Sequence, residues 1–129
     1  MIALQQEDID IAALIAASRR DSMGAQVVFV GTVRDDGIEA IEFEAHAAMA
    51  QKDLEAIAAE ATEKFGLHSV DIIHRTGTLP VGETIVVIIA GAGHRDEGFD
   101  GCRFILERIK EFVPIWKKDI AGETTRWHH

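Results

Sequence analysis

An uninterrupted apolar run over residues 85–89 limits most strongly how this chain can fold. A strand with one wet face alternates apolar and polar residues, because successive side chains point to opposite faces of a sheet. This run does not alternate, so it predicts a strand over residues 84–91 that is buried on both faces. The segment Leu79-Pro80-Val81-Gly82 has turn chemistry, and a second strand is expected before it, over residues 70–76.

Three segments have the periodicity of helices. The most regular covers residues 48–65 and stops at Gly66, a residue suited to helix C-termini. A second covers about 96–112 and must end before Pro114, and a shorter one covers residues 7–17. The residues expected to face the core from the two long helices are Met49, Leu54, Ile57, Ala61, Phe65, Phe99, Cys102, Ile105, Leu106 and Ile109.

Further strands are expected in the apolar and β-branched segments 27–33, 40–45 and 115–120. Asp35-Asp36-Gly37 lies between the first two and has turn chemistry, and residues 40–45 alternate apolar with acidic side chains. These two segments therefore predict a hairpin with one solvated face. Together with the helices, the pattern predicts a single α+β domain over residues 1–129 with mostly antiparallel strands.

The composition excludes several classes of protein. Hydrophobic residues make up 47% of the 129 residues, enough to form a core without disulfides, and Cys102 is the one cysteine. The formal net charge of −9 argues against nucleic-acid binding, since phosphate backbones are bound by clustered cations. Because there is no HExxH motif and no Cys/His cluster, neither a metal nor a cofactor is expected. No apolar run approaches the ~20 residues of a membrane span and no secretory signal is evident, so a cytoplasmic protein is expected.

Two cationic segments lie at the ends of predicted elements, where sites tend to be built. Arg34 ends a strand, and its guanidinium could bind a phosphate or carboxylate; alternatively it neutralises Asp35 or Asp36 of the turn. The loop that ends in His94 and Arg95 joins a strand to a helix start, where free N–H groups favour an anion. Simple turn geometry is the alternative explanation of that Gly-rich loop.

Two lysines and a C-terminal arginine, Arg126, also lie at element ends. Lys110 lies in the last helical turn, where a lysine usually complements the helix dipole. Lys117 follows Trp116 in a mostly apolar strand, so it is either an edge charge or a group held in a cleft. Two ammonium groups brought close together lower each other's pKa, and a lysine that is partly neutral can act as a base or nucleophile.

Several motifs, in their order and spacing from about Gln26 to Trp127, resemble one family. The most specific is the pair Lys110 and Lys117, separated by six residues and ending in Pro-x-Trp-Lys, followed later by Arg126-Trp127. The other matching motifs are Gly31-Thr32-Val33-Arg34, Ile73-His74-Arg75-Thr76-Gly77, Leu79-Pro80-Val81-Gly82-Glu83 and His94-Arg95. The sequence therefore resembles the MoaE family, the catalytic large subunits of molybdopterin synthase.

The resemblance implies an α/β hammerhead-like fold and a homodimer. It also implies a small ubiquitin-like partner that delivers sulfur as a C-terminal Gly-Gly thiocarboxylate. The acceptor is cyclic pyranopterin monophosphate, which becomes the molybdopterin dithiolene. By position, Lys110 and Lys117 resemble the family's catalytic lysines. The residues that resemble its substrate-binding cluster are Arg34, His94, Arg95 and Arg126.

Two other functions remain open at this point. One is a docking module for a ubiquitin-like sulfur carrier that has lost turnover, against which the two lysines argue. The other is an unrelated phosphate-handling enzyme that uses residues 91–95 as an anion-binding loop, although no GxxxxGK[ST] or GxGxxG motif supports a nucleotide site. The residues do not decide which lysine has which role, or whether a site is shared between two copies.

Overall fold

The structure is a computed structural model in which the backbone of residues 1–121 and 124–128 and the side chains of residues 1–121 are described. In this part of the chain, three helices and eight strands follow one another. They are β1 (Ile2–Gln5), α1 (Ile11–Ser18), β2 (Ala25–Thr32), β3 (Ala40–Ala45), α2 (Ala47–Phe65), β4 (Ser69–Arg75), β5 (Gly77–Pro80), β6 (Thr84–Ala92), α3 (Arg95–Phe112), β7 (Ile115–Ala121) and β8 (Thr124–His128).

The first sheet has the strand order β1-β4-β6-β2, in which only β1 and β4 run parallel. Alternate residues of β4 and β6 face two separate cores. Ile72 and Ile88 pack beneath α2 and α3, whereas Ile73 and Ile89 pack beneath α1. The expected burial of the central strand on both faces is therefore confirmed, because helices cover both sides of β6.

The second sheet has the order β5-β3-β7-β8 and is antiparallel throughout. Its inner face forms a small third core around Val33, Phe43 and Leu79, with Ile41 and Ile115 packed against it. The mixed architecture confirms the predicted α+β class with mostly antiparallel strands. Among the described residues, no helix is both long and apolar enough to cross a membrane.

The predicted hairpin between the second and third strands is wrong. β2 pairs with β6, whereas β3 lies in the other sheet between β5 and β7. After β2, the backbone of Val33 instead binds the turn before β6, through Val33 N to Glu83 O (2.9 Å) and Gly82 N to Val33 O (2.8 Å). Alternation in β3 indicates one buried face, but it does not indicate which strand lies alongside.

Three strands were not expected from the sequence: β1, β5 and β8. β5 includes Leu79 and Pro80, the first two residues of the segment predicted as a turn. The chain turns only after them, at Val81 and Gly82. Gly82 has a φ of 91°, and Glu83 N donates to Pro80 O at 3.1 Å, as in a type II turn. The first helix begins at Ile11 rather than near residue 7, because the Asp10 side chain caps it by accepting from Ala13 N.

Two residues predicted to face the core, Met49 and Phe99, are exposed, at 53% and 61%. In α2, the buried face begins at Ala50 and continues through Leu54, and Met49 lies outside it. In α3, the buried face is set by Gly98 and Gly101 rather than by Phe99. A Cβ on Gly98 would meet Val27 Cγ2 at 2.9 Å, so glycine permits the close approach of α3 to β2.

Candidate active site

Lys117 lies in the middle of β7 and is half-buried. Its register partner on β3 is Phe43, whose side chain belongs to the third core. Directly opposed residues point to the same face of an antiparallel pair, so Lys117 projects to the inner face of the second sheet. The inner-face position distinguishes Lys117 from a solvated edge charge.

The next residue, Lys118, points to the opposite face. It lies opposite Glu42, and Lys118 Nζ approaches Glu42 Oε2 at 3.4 Å. Trp116 is 44% exposed on that same outer face. The strand thus presents two neighbouring lysines to different surroundings, and only Lys117 lies beside the apolar core.

Lys110 is exposed in the last turn of α3, where its ammonium complements the helix dipole. The helix ends with Val113 N donating to Ile109 O at 3.2 Å, and Pro114 then leads directly into β7. Pro114 O accepts from His46 N at 3.3 Å, which ties this connection to the start of α2. The end of α3 and the start of β7 are therefore held as one unit.

Arg34 follows Val33 at the end of the first sheet where β6 begins. Its side chain is 84% exposed, and Arg34 Nε contacts Asp36 Oδ2 at 2.9 Å. This is the second of the two predicted alternatives, an arginine that neutralises an aspartate of the following turn. An exposed ion pair of this kind is weak, so a phosphate could displace Asp36 at little cost.

His94 and Arg95 are both exposed at the start of α3. His94 occupies the N-cap position, but its side chain makes no capping hydrogen bond. Asp96 and Glu97 lie in the first turn and already provide negative charge to the helix N-terminus. His94 and Arg95 thus lie beside two carboxylates, which makes this a mixed site rather than a simple anion-binding loop.

The predicted residues do not meet in one place within one chain. Gly24 N donates to Ala92 O, which places His94 beside the start of β2, whereas Arg34 follows its end. The eight residues of β2, at about 3.3 Å each, separate these positions by roughly 25 Å. Along α3, Arg95 and Lys110 are about 22 Å apart at 1.5 Å per residue. The chain thus has His94 and Arg95 near the starts of β2 and α3, whereas Arg34 and Lys110 lie at the other ends of these two elements.

Arg126 lies in β8, where its backbone pairs with Asp119. Its side chain is outside the described part of the structure. In the same register, the backbone of Lys117 pairs with that of His128.

Sequence reasoning did not single out two buried polar residues, His74 and Arg75, which are 6% and 7% exposed. The His74 ring contacts Phe43 edge to face at 5.5 Å between centroids, and its Nδ1 lies 2.8 Å from Arg75 O. Burial lowers the pKa of His74, and the backbone contact only partly opposes this effect. The signal in the sequence was a His-Arg pair inside an apolar strand, where charged side chains are rare.

A groove of about 660 Å³ opens beside Phe43, between the end of β1 and the last residues of β3. Glu7, Glu42 and Glu44 line it, so its wall is unfavourable for a phosphate.

Within the described residues, no three His, Cys, Asp or Glu side chains form a group that could hold a metal ion. Cys102 is buried in the main core, and burial raises the pKa of its thiol, which disfavours a thiolate nucleophile.

Comparison with known proteins gives a consistent result. The family described as MoaE protein matches residues 4–112. The molybdopterin synthase catalytic subunit of Pyrococcus abyssi is 37% identical over 125 residues, which cover 94% of this chain and 84% of that protein. The crystal structure of molybdopterin synthase from Staphylococcus aureus superimposes with a TM-score of 0.92 at 35% identity, covering 98% of this chain and 95% of that one.

A more distant structure shows the same fold. It is the complex of subunits 1 and 2 of the molybdopterin-converting factor from Helicobacter pylori, with a TM-score of 0.82 at 23% identity, covering 98% of this chain and 88% of that one. The family match spans most of the chain, and the Pyrococcus relative extends over nearly all of it. This chain belongs to the MoaE family.

Proposed function

We propose that this chain is the catalytic subunit of a molybdopterin synthase, acting in the cytoplasm. It transfers sulfur from the C-terminal thiocarboxylate of a small ubiquitin-like partner to cyclic pyranopterin monophosphate and so forms the dithiolene. The similarity to the catalytic subunit from Pyrococcus, over 94% of this chain, carries the proposal. The Helicobacter structure, which holds subunits 1 and 2 of the molybdopterin-converting factor together, agrees with a second subunit as the partner.

The chemistry has two steps for each sulfur. The thiocarboxylate sulfur attacks a side-chain carbon of the pterin, and a C–O bond at that carbon breaks as the C–S bond forms. The departing oxygen takes up a proton, and partner and substrate are then joined by a thioester. Water then attacks the thioester carbonyl, so that the partner leaves with a carboxylate and the sulfur stays on the pterin. Lys117 or Lys110 moves protons and stabilises the tetrahedral oxyanion, and a second charged partner repeats the transfer. The buried Cys102 has no part in this route, since all the sulfur comes from the partner.

Arg34, His94, Arg95 and Arg126 are the proposed substrate-binding residues, because convergent cations can hold the pterin's phosphate in an otherwise acidic protein. One chain cannot bring them together, since roughly 25 Å separates Arg34 from the start of α3. A substrate of pterin size therefore needs Arg34 from one copy and His94 with Arg95 from another. The proposed homodimer follows from this separation.

β2 is suited to join the two copies. It is an edge strand of the first sheet, its eight residues carry no charge, and Val30 is 40% exposed. Natural edge strands usually carry lysine, proline or a covering segment that prevents pairing with another strand. β2 has none of these features within Ala25–Thr32, so it can pair with the same strand of a second copy.

The symmetry of such a pair completes the site. In a two-fold antiparallel pair, residues at equal distances from the axis lie opposite each other. We place the axis between Val28 and Phe29, because this register brings the two halves of the proposed site together: Arg34 then lies opposite Met23 of the second copy. Met23 precedes Gly24, which binds Ala92 next to the start of α3. Arg34 of one copy therefore approaches His94 and Arg95 of the other, and the dimer has two such sites.

The function is tested by single-turnover conversion of cyclic pyranopterin monophosphate with a thiocarboxylated small partner ending in Gly-Gly. We expect the dithiolene product when the purified chain, thiocarboxylated partner and pterin are all present. The matched control is the same partner with an ordinary C-terminal carboxylate, which has no sulfur to transfer. Tight partner binding without product would favour the docking-module alternative.

A further inference from the structure

Arg75 is a charged side chain in the interior of the protein, with 8% of the side chain exposed. A buried guanidinium is costly unless its donors are satisfied, so its contacts indicate its role. Nε and Nη2 both donate to Gln6 O, at 3.1 and 3.0 Å, and Nη1 donates to Thr84 O at 3.1 Å. The side chain thus connects the segment after β1 to the first residue of β6.

Two carboxylates complete its surroundings. Arg75 Nη1 lies 3.5 Å from Glu83 Oε1 and 3.7 Å from Asp8 Oδ1, and both acids are more exposed than the arginine. Because its donors are directed at main-chain carbonyls and these carboxylates, Arg75 has little capacity left to bind a ligand itself. Its planar fork fits this set of acceptors, whereas a lysine could reach only part of it.

The contacts of Arg75 lead to Arg34 through the backbone. Glu83 ends the type II turn, Thr84 begins β6, and Glu83 O accepts from Val33 N at 2.9 Å. Gly82 N returns a bond to Val33 O at 2.8 Å. Val33 is therefore held on both its N–H and its carbonyl by the turn that Arg75 fixes from inside. Arg34 is the next residue, and its exposed side chain has only Asp36 as a described partner.

We infer that Arg75 is a positioning residue for substrate binding: it fixes the end of the turn formed by residues 80–83, and through Val33 it sets where Arg34 presents its guanidinium. This inference rests on the proposed role of Arg34 in binding the pterin's phosphate. It assigns one purpose to two motifs, Ile73-His74-Arg75-Thr76-Gly77 and Leu79-Pro80-Val81-Gly82-Glu83, which contribute no residue to the proposed chemistry.

The test is a double-mutant cycle of Arg75→Lys with Arg34→Ala, with saturating thiocarboxylated partner. Arg75→Lys should raise the half-saturating pterin concentration about fivefold or more while changing the maximal single-turnover rate less than about twofold. In the Arg34→Ala background it should cause no further rise, because the residue it positions is gone. Equal rises in both backgrounds, or no rise in either, would overturn the inference.

A second readout needs no activity. The Val33 amide is bonded to Glu83 O, so its hydrogen exchange should be faster in Arg75→Lys than in the wild type. Unchanged hydrogen exchange at Val33 would overturn the link between Arg75 and Val33, whether or not the wild type converts the pterin. Failure of the wild type to convert the pterin would instead reject the proposed function.

If Arg75→Lys does not fold, Glu83→Gln replaces it in the same cycle. Glu83→Gln should cause a smaller rise in the half-saturating pterin concentration, and this rise must also vanish in the Arg34→Ala background. Asp8→Asn is the matched control, since Asp8 contacts the same Nη1 of Arg75 but is not part of the turn.

Discussion

Lys117 and Lys118 are adjacent lysines that face opposite sides of one sheet, and this difference allows a matched experiment. If Lys117 moves protons and stabilises the oxyanion, Lys117→Ala should lower single-turnover conversion about 100-fold, because losing one such stabiliser costs ~3 kcal/mol. Lys117→Arg should not restore the rate, since arginine keeps its proton near neutral pH. Lys118→Ala removes the neighbour that pairs with Glu42 and should stay within about threefold of wild type.

Partner affinity of the Lys117 variants should remain unchanged, because the lysine acts on the transition state rather than on docking. Wild-type turnover in both Lys117 variants would show that this lysine is not catalytic. It would also favour the docking-module alternative.

His74 gives the folded protein a defined pH dependence. Burial lowers its pKa below the ordinary value of 6.5, so the unfolded chain takes up a proton at a pH where the folded protein does not. The free energy of unfolding should therefore be fully retained above pH 6.5 and decrease as the pH falls from there toward the lowered pKa.

This prediction can be measured by denaturant unfolding between pH 8 and pH 5. His74→Asn keeps an N–H near the Nδ1 position that faces Arg75 O, but it cannot titrate. It should show a smaller loss of stability over that interval than the wild type. Parallel pH profiles for the two proteins would show that His74 is not the group responsible.

At the scale of elements, two glycines with positive φ allow the effect of backbone strain on stability to be distinguished from an effect on substrate binding. Gly82 (φ 91°) is in the turn that holds Val33, and Gly66 (φ 64°) caps α2. A Cβ on either would meet nothing within 4 Å, so alanine adds backbone strain and no clash. Each substitution should cost about 1 kcal/mol of unfolding free energy.

Only Gly82→Ala should also raise the half-saturating pterin concentration, because only that turn carries the Arg34 segment. Denaturant unfolding and single-turnover titration of both variants make the comparison. An equal effect of Gly66→Ala on substrate binding would indicate that loss of stability, rather than the turn, is the cause.

The elements themselves could largely be predicted from the sequence, but their partners could not. Periodicity and end signals gave α2 and α3 to within about two residues, and lack of alternation identified β6 as doubly covered. The pairing of β3 was wrong, since an alternating strand fits any neighbour that covers one face. β5 was missed because its four residues include Gly77 and Pro80, which are otherwise typical of turns.

The sequence predicted a set of candidate site residues, but not where the fold would place each of them. Lys117 is on an inner face, as a cleft position requires, but Arg34 pairs with Asp36, and His94 lies at the other end of β2. Local patterns carry no information about whether residues of two copies share one site, as we propose. Arg75 was overlooked for a related reason, since its partners Gln6 and Thr84 are distant from it along the chain.

For the whole molecule, the uncharged edge of β2 predicts the oligomeric state. Val30→Lys places a charge on this edge, where an exposed lysine is harmless in a monomer but is repelled across a two-fold axis. Light scattering should give about twice 14.1 kDa for the wild type and a mass near 14.1 kDa for the variant at micromolar concentration. Ala59→Lys, on an exposed position of α2, should remain dimeric. A wild-type monomer would exclude the shared site.

Subunit mixing tests most directly whether sulfur transfer takes place at a site shared by two copies. Lys117→Ala and His94→Ala should each be nearly inactive alone, since each removes one half of both sites in its homodimer. After subunit exchange at equal concentrations, half of the dimers are mixed, and each of those has one site with both residues intact. Single-turnover conversion should then recover to about a quarter of the wild-type value. If Lys117 and His94 of the same chain served one site, every site in the mixture would lack one of them, and activity would stay at the level of the two parent variants.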